Sequence, residues 1–340
     1  MKKVCAVGNF GFGKNMLDGQ TIKTKIVTLE LEKQLGKNQI TKIDTNDGIK
    51  IIPKITMTLF RAFENNANII IFPAQNGIKF FVPICVLFNK LFHRKLHYVV
   101  IGGWLNEFLE HNYIIRNGLK EFSCIYVETN EMKKKLNKLG LQNVVVMPNF
   151  KQLQLLREEE LVVPTDEPHK LCTFSRVMKE KGIEDAVKAV HLLNEEKGYT
   201  AYTLDIYGQI DSNQGEWFQN LQNQFPEYVT YKGLVEFDKS VEVIKDYYLL
   251  LFPTYYKGEG FAGTLLDAMA AGVPIIASDW KYNREIINEN NGFLFETHNV
   301  ADMVEKITSV KDIENLKINC LREAHKYSPQ NVIQIILDRL

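Results

Sequence analysis

A chain of 340 residues is long enough for two domains that each bury a core of their own. Lys plus Arg and Asp plus Glu both number 41, so no net field draws the chain onto nucleic acid. Five cysteines (Cys5, Cys85, Cys124, Cys172 and Cys320) are scattered without CxxC or His-rich spacing; they read as idle thiols of a reducing cytosol, with no pattern for a metal site.

The opening MKKVCAVGNF runs straight into a strand-like segment without a small-residue cleavage site, so no signal peptide is expected. Short β-rich runs then alternate with helical stretches, the pattern of parallel sheets with helical crossovers. In the first half the strands are expected at 3–7, 39–44, 68–72, 96–101, 124–128 and 144–147. Helices are expected at 21–35, 55–65, 78–92 and 131–139. The Gly-rich GNFGFGKNMLDGQ at 8–20 is not GxGxxG, its helix begins late, and Asp44 is the one acidic candidate for a ribose. A dinucleotide site is therefore the weaker reading of that loop. Within 80–92, FFVPICVLFNKLF is interrupted by Pro83, Asn89 and Lys90 and is too short to span a bilayer. With Arg94, Lys95, His93 and His97 behind it, the segment from Phe80 to Tyr98 has two readings. It is either a docking surface for anionic lipid headgroups or a buried crossover helix ending in a solvated basic turn, with both histidines at the surface.

A break falls at 151–169, where an acidic run and two prolines follow a completed strand. It divides the chain into a first domain over 1–155, a second over 165–325, and a tail over 326–340. In that tail SPQNVIQIILDRL has Ser328 at a cap position and apolar residues at helical spacing. The second half is expected to alternate again, with strands at 170–174, 203–207, 228–232, 248–252, 274–278 and 293–295.

Two segments carry chemistry. In GEGFAGTLLDAMAAGVPIIASD at 258–279, Glu259 stands in a Gly-flanked loop before a short helix, and Asp267 follows eight residues later. The helix N-terminus gathers backbone N–H groups that can hold a phosphate, while the two carboxylates can each accept hydroxyl groups. A pyrophosphate flanked by two sets of hydroxyls describes a nucleotide-sugar. In FSRVMKEKGI at 174–183, Arg176 and Lys181 bracket a strand-to-helix turn and supply cations for a leaving diphosphate.

The 258–279 segment resembles the Glu-x7-Glu signature of retaining glycosyltransferases of family 4, with Asp267 in place of the second Glu. The 174–183 segment resembles that family's Arg-x4-Lys-Gly element. WKYNREII at 280–287 is similar to a branch that builds bacterial capsular polysaccharide and exopolysaccharide; Arg284 and Glu285 read as a surface pair. The resemblance implies an α/β protein of GT-B fold, two doubly wound Rossmann-like domains facing a cleft, with the last helix crossing back to the first domain. It implies Glu259, Arg176 and Lys181 as catalytic groups. Tyr207, Gly208, Leu234, Gly260, Phe261, Gly263, Thr264, Leu265 and Asp267 join them in binding the donor, with the amides at 263–265 on the distal phosphate and Asp267 on the ribose. Gly19, Gln20, Gly102, Gly103 and Trp104 fall on the acceptor side. Gly102 and Gly103 stand where many members carry a histidine, so no catalytic histidine is assigned.

The function so implied is transfer of a sugar, with retention, from a nucleotide-sugar (UDP by preference) to a glycan or lipid-linked acceptor in bacterial surface polysaccharide synthesis. No cofactor or metal is expected and no nucleic acid partner. The place is the cytoplasm, with any membrane contact at its inner face. The alternatives are a GT-B epimerase or phosphorylase, and a non-catalytic partner subunit, against which Arg176, Lys181 and Glu259 all argue.

Overall fold

A computed structural model describes residues 3–13, 19–46 and 52–340. The chain separates into two compact units, Met1–Phe150 with Pro329–Leu340, and Lys151–Ser328.

In unit 1 the strands are β1 (Val4–Gly8), β2 (Ile40–Asp44), β3 (Asn68–Ile71), β4 (Lys95–Val99), β5 (Cys124–Val127) and β6 (Val144–Val146). Its helices are α1 (Gly19–Leu35), α2 (Ile52–Asn65), α3 (Gln75–Phe92), α4 (Leu105–Glu110), α5 (Tyr113–Lys120) and α6 (Asn130–Lys138). All strand pairs are parallel, in the order β2-β1-β3-β4-β5-β6. Strands covered on both faces must be largely apolar, and VCAVG, NIII and CIYV are buried at every position, whereas edge strand β2 buries only Ile43. The helices α4 and α5 fall where no helix was expected, because six and eight residues give too few turns for a readable period.

His97 corrects the sequence reading. Strand β4 starts at Lys95, which carries His97 into the sheet, fully buried with Nδ1 3.1 Å from the Tyr126 hydroxyl. Burial pulls its pKa down to about 4. His93 is exposed and ends α3 in the left-handed region.

Unit 2 holds β7 (His169–Phe174), β8 (Tyr202–Tyr207), β9 (Val229–Gly233), β10 (Leu249–Phe252), β11 (Ile275–Ser278) and β12 (Gly292–Phe295). Its helices are α7 (Ile183–Lys197), α8 (Gly215–Gln222), α9 (Ser240–Ile244), α10 (Gly263–Ala270), α11 (Asn283–Ile286), α12 (Val300–Thr308) and α13 (Ile313–His325). The order β12-β11-β10-β7-β8-β9 is again fully parallel. The last helix, α14 (Pro329–Leu337), packs on α1 of unit 1. The two sheets differ in winding. Unit 2 follows the dinucleotide-fold order, while unit 1 has the flavodoxin-like order lengthened by β6.

All five cysteines are free and buried, and burial pushes the thiols of Cys5 and Cys320 up to about 12. None of the described helices is long and apolar enough to cross a membrane.

Candidate functional site

In unit 2 the first strand, β7, has β8 on one side and β10 on the other, so the chain reverses its direction of winding there. Loops that leave the carboxyl ends on either side of such a point diverge and open a crevice, where open α/β sheets bind ligands. The loops here are 175–182 after β7 and 253–262 after β10, which contain both segments singled out from the sequence.

The two loops are clamped together by backbone. Tyr255 N–H donates to Glu180 O at 2.8 Å, and Gly182 turns with φ 71° directly against Pro253. A Cβ at Gly182 would stand 2.1 Å from the Pro253 carbonyl oxygen, so no other residue fits there. This clamp delivers Lys181 to Glu259. Its Nζ lies 2.6 Å from Glu259 Oε2, with the side chains 12% and 8% exposed. The same Oε2 accepts from the Thr254 hydroxyl at 2.8 Å. The ammonium also sits 5.5 Å from the Phe252 ring centroid and 5.2 Å from that of Tyr256. Glu259 Oε1 has no partner among the described residues, and an ammonium with one hydrogen bond keeps two further donors. The pair therefore presents an acceptor and two cationic donors side by side.

Helix α10 starts beside this pair. Its N-cap, Ala262, has no side-chain acceptor, and the amides of Gly263 and Thr264 have no acceptor among the described residues. The amide of Leu265 donates to Ala262 O at 3.1 Å, so the expected three-amide cradle is reduced to two. The Thr264 hydroxyl bonds Phe174 O at 2.5 Å and ties the helix start to the end of β7.

Asp267 is 2% exposed and already engaged. Lys151 Nζ lies 2.5 and 2.7 Å from its two carboxylate oxygens, and the Ser240 hydroxyl donates at 2.9 Å. Arg176 stands apart from Lys181, half-exposed and 3.5 Å from Asp211. The Tyr207 hydroxyl meets that of Tyr247 at 2.9 Å, and Tyr247 also donates to Asp205 at 2.6 Å. Burial pushes both phenols up in pKa. Gly208 has φ 137°, and a Cβ there would lie 1.7 Å from Ser175 O, so this turn also requires glycine. Leu234 is 59% exposed, Gly260 is buried, and the Phe261 ring packs edge-on against Tyr327. Arg284 pairs with Asp279 instead of reading only as a neighbour of Glu285.

In unit 1 both carboxylate oxygens of Asp44 accept amides of the Gly-rich loop, from Phe10 and Phe12 at 2.9 Å each. Asp44 thus closes its own loop, which argues against the dinucleotide reading. Gly19 is exposed at the start of α1, and Gln20 donates to Phe72 O at 3.2 Å. Residues 14–18 of that loop lie outside the described residues. Gly102 is left-handed (φ 80°) and Gly103 is buried. Trp104 donates from its indole to Ile101 O at 2.8 Å and packs edge-on against Phe108.

Sequence reasoning missed Thr254, Tyr256, Lys151, Ser240 and Asp211. The first two stand in PTYYKGEGF directly after β10 and could have been found from that adjacency. The other three reach the site only through the fold. Among the described residues no three His, Cys, Asp or Glu gather as metal ligands.

Residues 157–327 match the family model for glycosyl transferases group 1. One relative is the UDP-N-acetylglucosamine–peptide N-acetylglucosaminyltransferase GtfA subunit of Streptococcus pneumoniae serotype 4. It is 32% identical over 169 residues, 48% of this chain and 32% of the relative. The poly(ribitol-phosphate) alpha-N-acetylglucosaminyltransferase of Staphylococcus aureus is 22% identical over 233 residues, 65% of this chain and 44% of that protein. The chain thus spans about a third to under a half of these curated relatives. Among solved structures, Anabaena Alr3699/HepE in complex with UDP superposes with a TM-score of 0.74 at 14% identity, over 99% of this chain and 98% of that one. That likeness gives the fold class, GT-B, with one parallel six-stranded sheet in each unit.

Proposed function

We propose that this chain, which belongs to the glycosyl transferases group 1 family, moves a sugar from a UDP-sugar to a glycan or lipid-linked acceptor, with retention and without a metal. The observation that carries this reading is the Lys181–Glu259 pair with Thr254, set at the switch point of unit 2 beside the N-terminus of α10. Lys181, with Arg176 swung off Asp211, meets the diphosphate; the Gly263 and Thr264 amides take its distal phosphate. Glu259 Oε1 accepts a hydroxyl of the sugar. Asp267 takes the ribose by sharing its oxygens with Lys151 and Ser240. Gly260 and Phe261 shape the loop under the sugar, and Tyr207, Gly208 and Leu234 flank the base. Gly19, Gln20, Gly102, Gly103 and Trp104 are assigned to the acceptor.

The bond from the sugar C1 to the diphosphate oxygen breaks while the acceptor oxygen bonds C1, and the acceptor proton passes to the leaving diphosphate. Fixed cations at the oxygen where charge develops lower that barrier. The activity named for the streptococcal relative supports a UDP-linked N-acetylhexosamine, and that of the staphylococcal relative supports an acceptor among surface glycopolymers.

The test is a thermal-shift and calorimetry panel of UDP-N-acetylglucosamine, UDP-glucose and GDP-, ADP- and dTDP-linked sugars in EDTA. UDP-sugars should give the largest shift, with slow release of UDP in the absence of acceptor. A larger shift with another nucleotide, or turnover that stops in EDTA, would overturn the donor or the metal-free mechanism respectively.

A further inference from the structure

The zero net charge of the chain conceals a division. Unit 1 holds 22 Lys and Arg against 12 Asp and Glu, and unit 2 holds 19 against 29. In unit 1 no acid occurs in sequence between Glu64 and Glu107, a stretch that spans α3.

On α3 the exposed positions Lys79, Pro83, Leu87, Lys90 and Leu91 recur at helical spacing and form one stripe, with Leu87 59% and Leu91 70% exposed. Two helices flank it. Phe60 of α2 packs edge-on against Phe88 and Phe92, and α2 leaves Met57 and Arg61 exposed. Gly118 of α5 lies so close to α3 that a Cβ there would stand 2.7 Å from Val82. One turn earlier on that same side of α5, Ile114 is 78% exposed, beside Tyr113. The side chains of Arg61, Lys90 and Lys120 have no partner among the described residues. Lys79 lies over the Phe108 ring and Arg116 over that of Tyr113. Large apolar side chains and unpaired cations thus share one face.

We propose that this α2–α3–α5 face docks unit 1 on an anionic lipid bilayer, its leucines and Ile114 entering the headgroup layer while its cations meet lipid phosphates. A soluble polyanion would need the cations alone; the protruding apolar groups call for hydrocarbon. Of the segment expected to dock, Phe80 to Tyr98, only the exposed side of α3 belongs to this face. Arg94 is spent on Phe63 O and Glu64 O at the end of α2, Lys95 donates to Arg339 O, and His97 and Tyr98 lie inside the sheet. The face holds no donor-site residue and stands apart from the proposed activity.

The experiment is co-sedimentation of the full chain with vesicles of phosphatidylcholine, alone or with one part in three of phosphatidylglycerol. It compares the wild type with Lys79→Glu/Lys90→Glu and Leu87→Ser/Leu91→Ser, all checked for an unchanged melting temperature. The wild type should bind only the anionic vesicles at about 0.1 M salt and leave them near 1 M, where the screening length falls to about 3 Å. Each cation near such a leaflet is worth roughly a factor of five, so reversing two should weaken binding more than about 100-fold. The leucine pair should cost about tenfold or more. No binding to anionic vesicles, or binding untouched by either double variant, overturns the proposal. Three other results would also overturn it: equal binding to neutral vesicles, heparin binding that ignores the leucines, and self-association lost with the leucines.

Discussion

Replacing Glu259 by Gln separates the two tasks assigned to the Lys181–Glu259 pair. The substitution keeps an acceptor for the Thr254 hydroxyl but removes the charge that neutralises Lys181. Both side chains are nearly buried, and stripping one partner from such a pair costs about 3–5 kcal/mol when nothing replaces it. The retained amide should hold the loss to roughly the lower end of that range. Binding of UDP should move the other way. With Lys181 Nζ between them, the Glu259 oxygen and a phosphate oxygen would be roughly 5 Å apart, a repulsion of about 3 kcal/mol at an effective dielectric constant near 20. Solvent at the mouth of the site reduces this, so UDP should bind Glu259→Gln about tenfold more tightly than wild type. Turnover should nevertheless collapse, because the acceptor for a sugar hydroxyl is altered. Calorimetry with UDP, beside thermal denaturation with and without it, reads all three effects. Lys181→Met is the contrast and should lose UDP affinity. Should Glu259→Gln weaken UDP as much as Lys181→Met does, Glu259 holds the nucleotide and the assignment fails.

Gly182→Ala should destabilise unit 2 far more than Gly198→Ala in urea denaturation. Both glycines are left-handed, at φ 71° and 77°, but only at Gly182 would the methyl meet backbone; at Gly198 nothing lies within 4 Å. The conformational cost of about 1–2 kcal/mol is common to both, so equal losses would refute the clamp at Pro253. Lys317 gives a pH test: fully buried with its ammonium on Tyr247 O, it has its pKa pulled down by burial to about 8. The unfolded chain holds that proton up to its ordinary value, so between pH 8 and that value the unfolded state binds more protons and this residue's contribution to stability rises with pH. The advantage of Lys317→Met over wild type should therefore shrink by about 2 kcal/mol from pH 7 to 10, and a constant difference would show that Lys317 keeps its proton in the fold.

Long-period features were legible in the sequence and local geometry was not. Twelve parallel strands could be read because residues buried on both faces leave continuous apolar runs such as NIII, LLLF and IIAS. The loops after β7 and β10 could be read because Gly182, Lys181 and Glu259 are unusual in those places. Strand order could not, since it depends on which side of β7 the chain turns. Nor could the partners of Asp267, because Lys151 and Ser240 lie 116 and 27 residues away. His97 was misjudged because neighbouring Arg94 and Lys95 gave its segment a surface character, while the register of β4 on β5 places it opposite Cys124 inside the sheet. Local composition offered only the α3 part of the docking face, since Met57, Arg61, Tyr113 and Ile114 come from two other helices.

The site charges of unit 2 share a property that bears on how a donor would bind. Lys181 is matched by Glu259, Asp267 by Lys151 and Arg176 by Asp211. A buried charge without a partner costs several kcal/mol, so pre-pairing lets the crevice hold these groups at no such cost. Binding of the proposed donor's diphosphate would then be an exchange of partners. The exchange is easiest at Arg176, half-exposed and loosely held at 3.5 Å, and hardest at Asp267, whose two oxygens already take three hydrogen bonds. The shorter aspartate suits that position, because Lys151 and Ser240 fill the space in front of it. Binding energy in this site should therefore come chiefly from the phosphates, with the ribose contact contributing only what Asp267 can share.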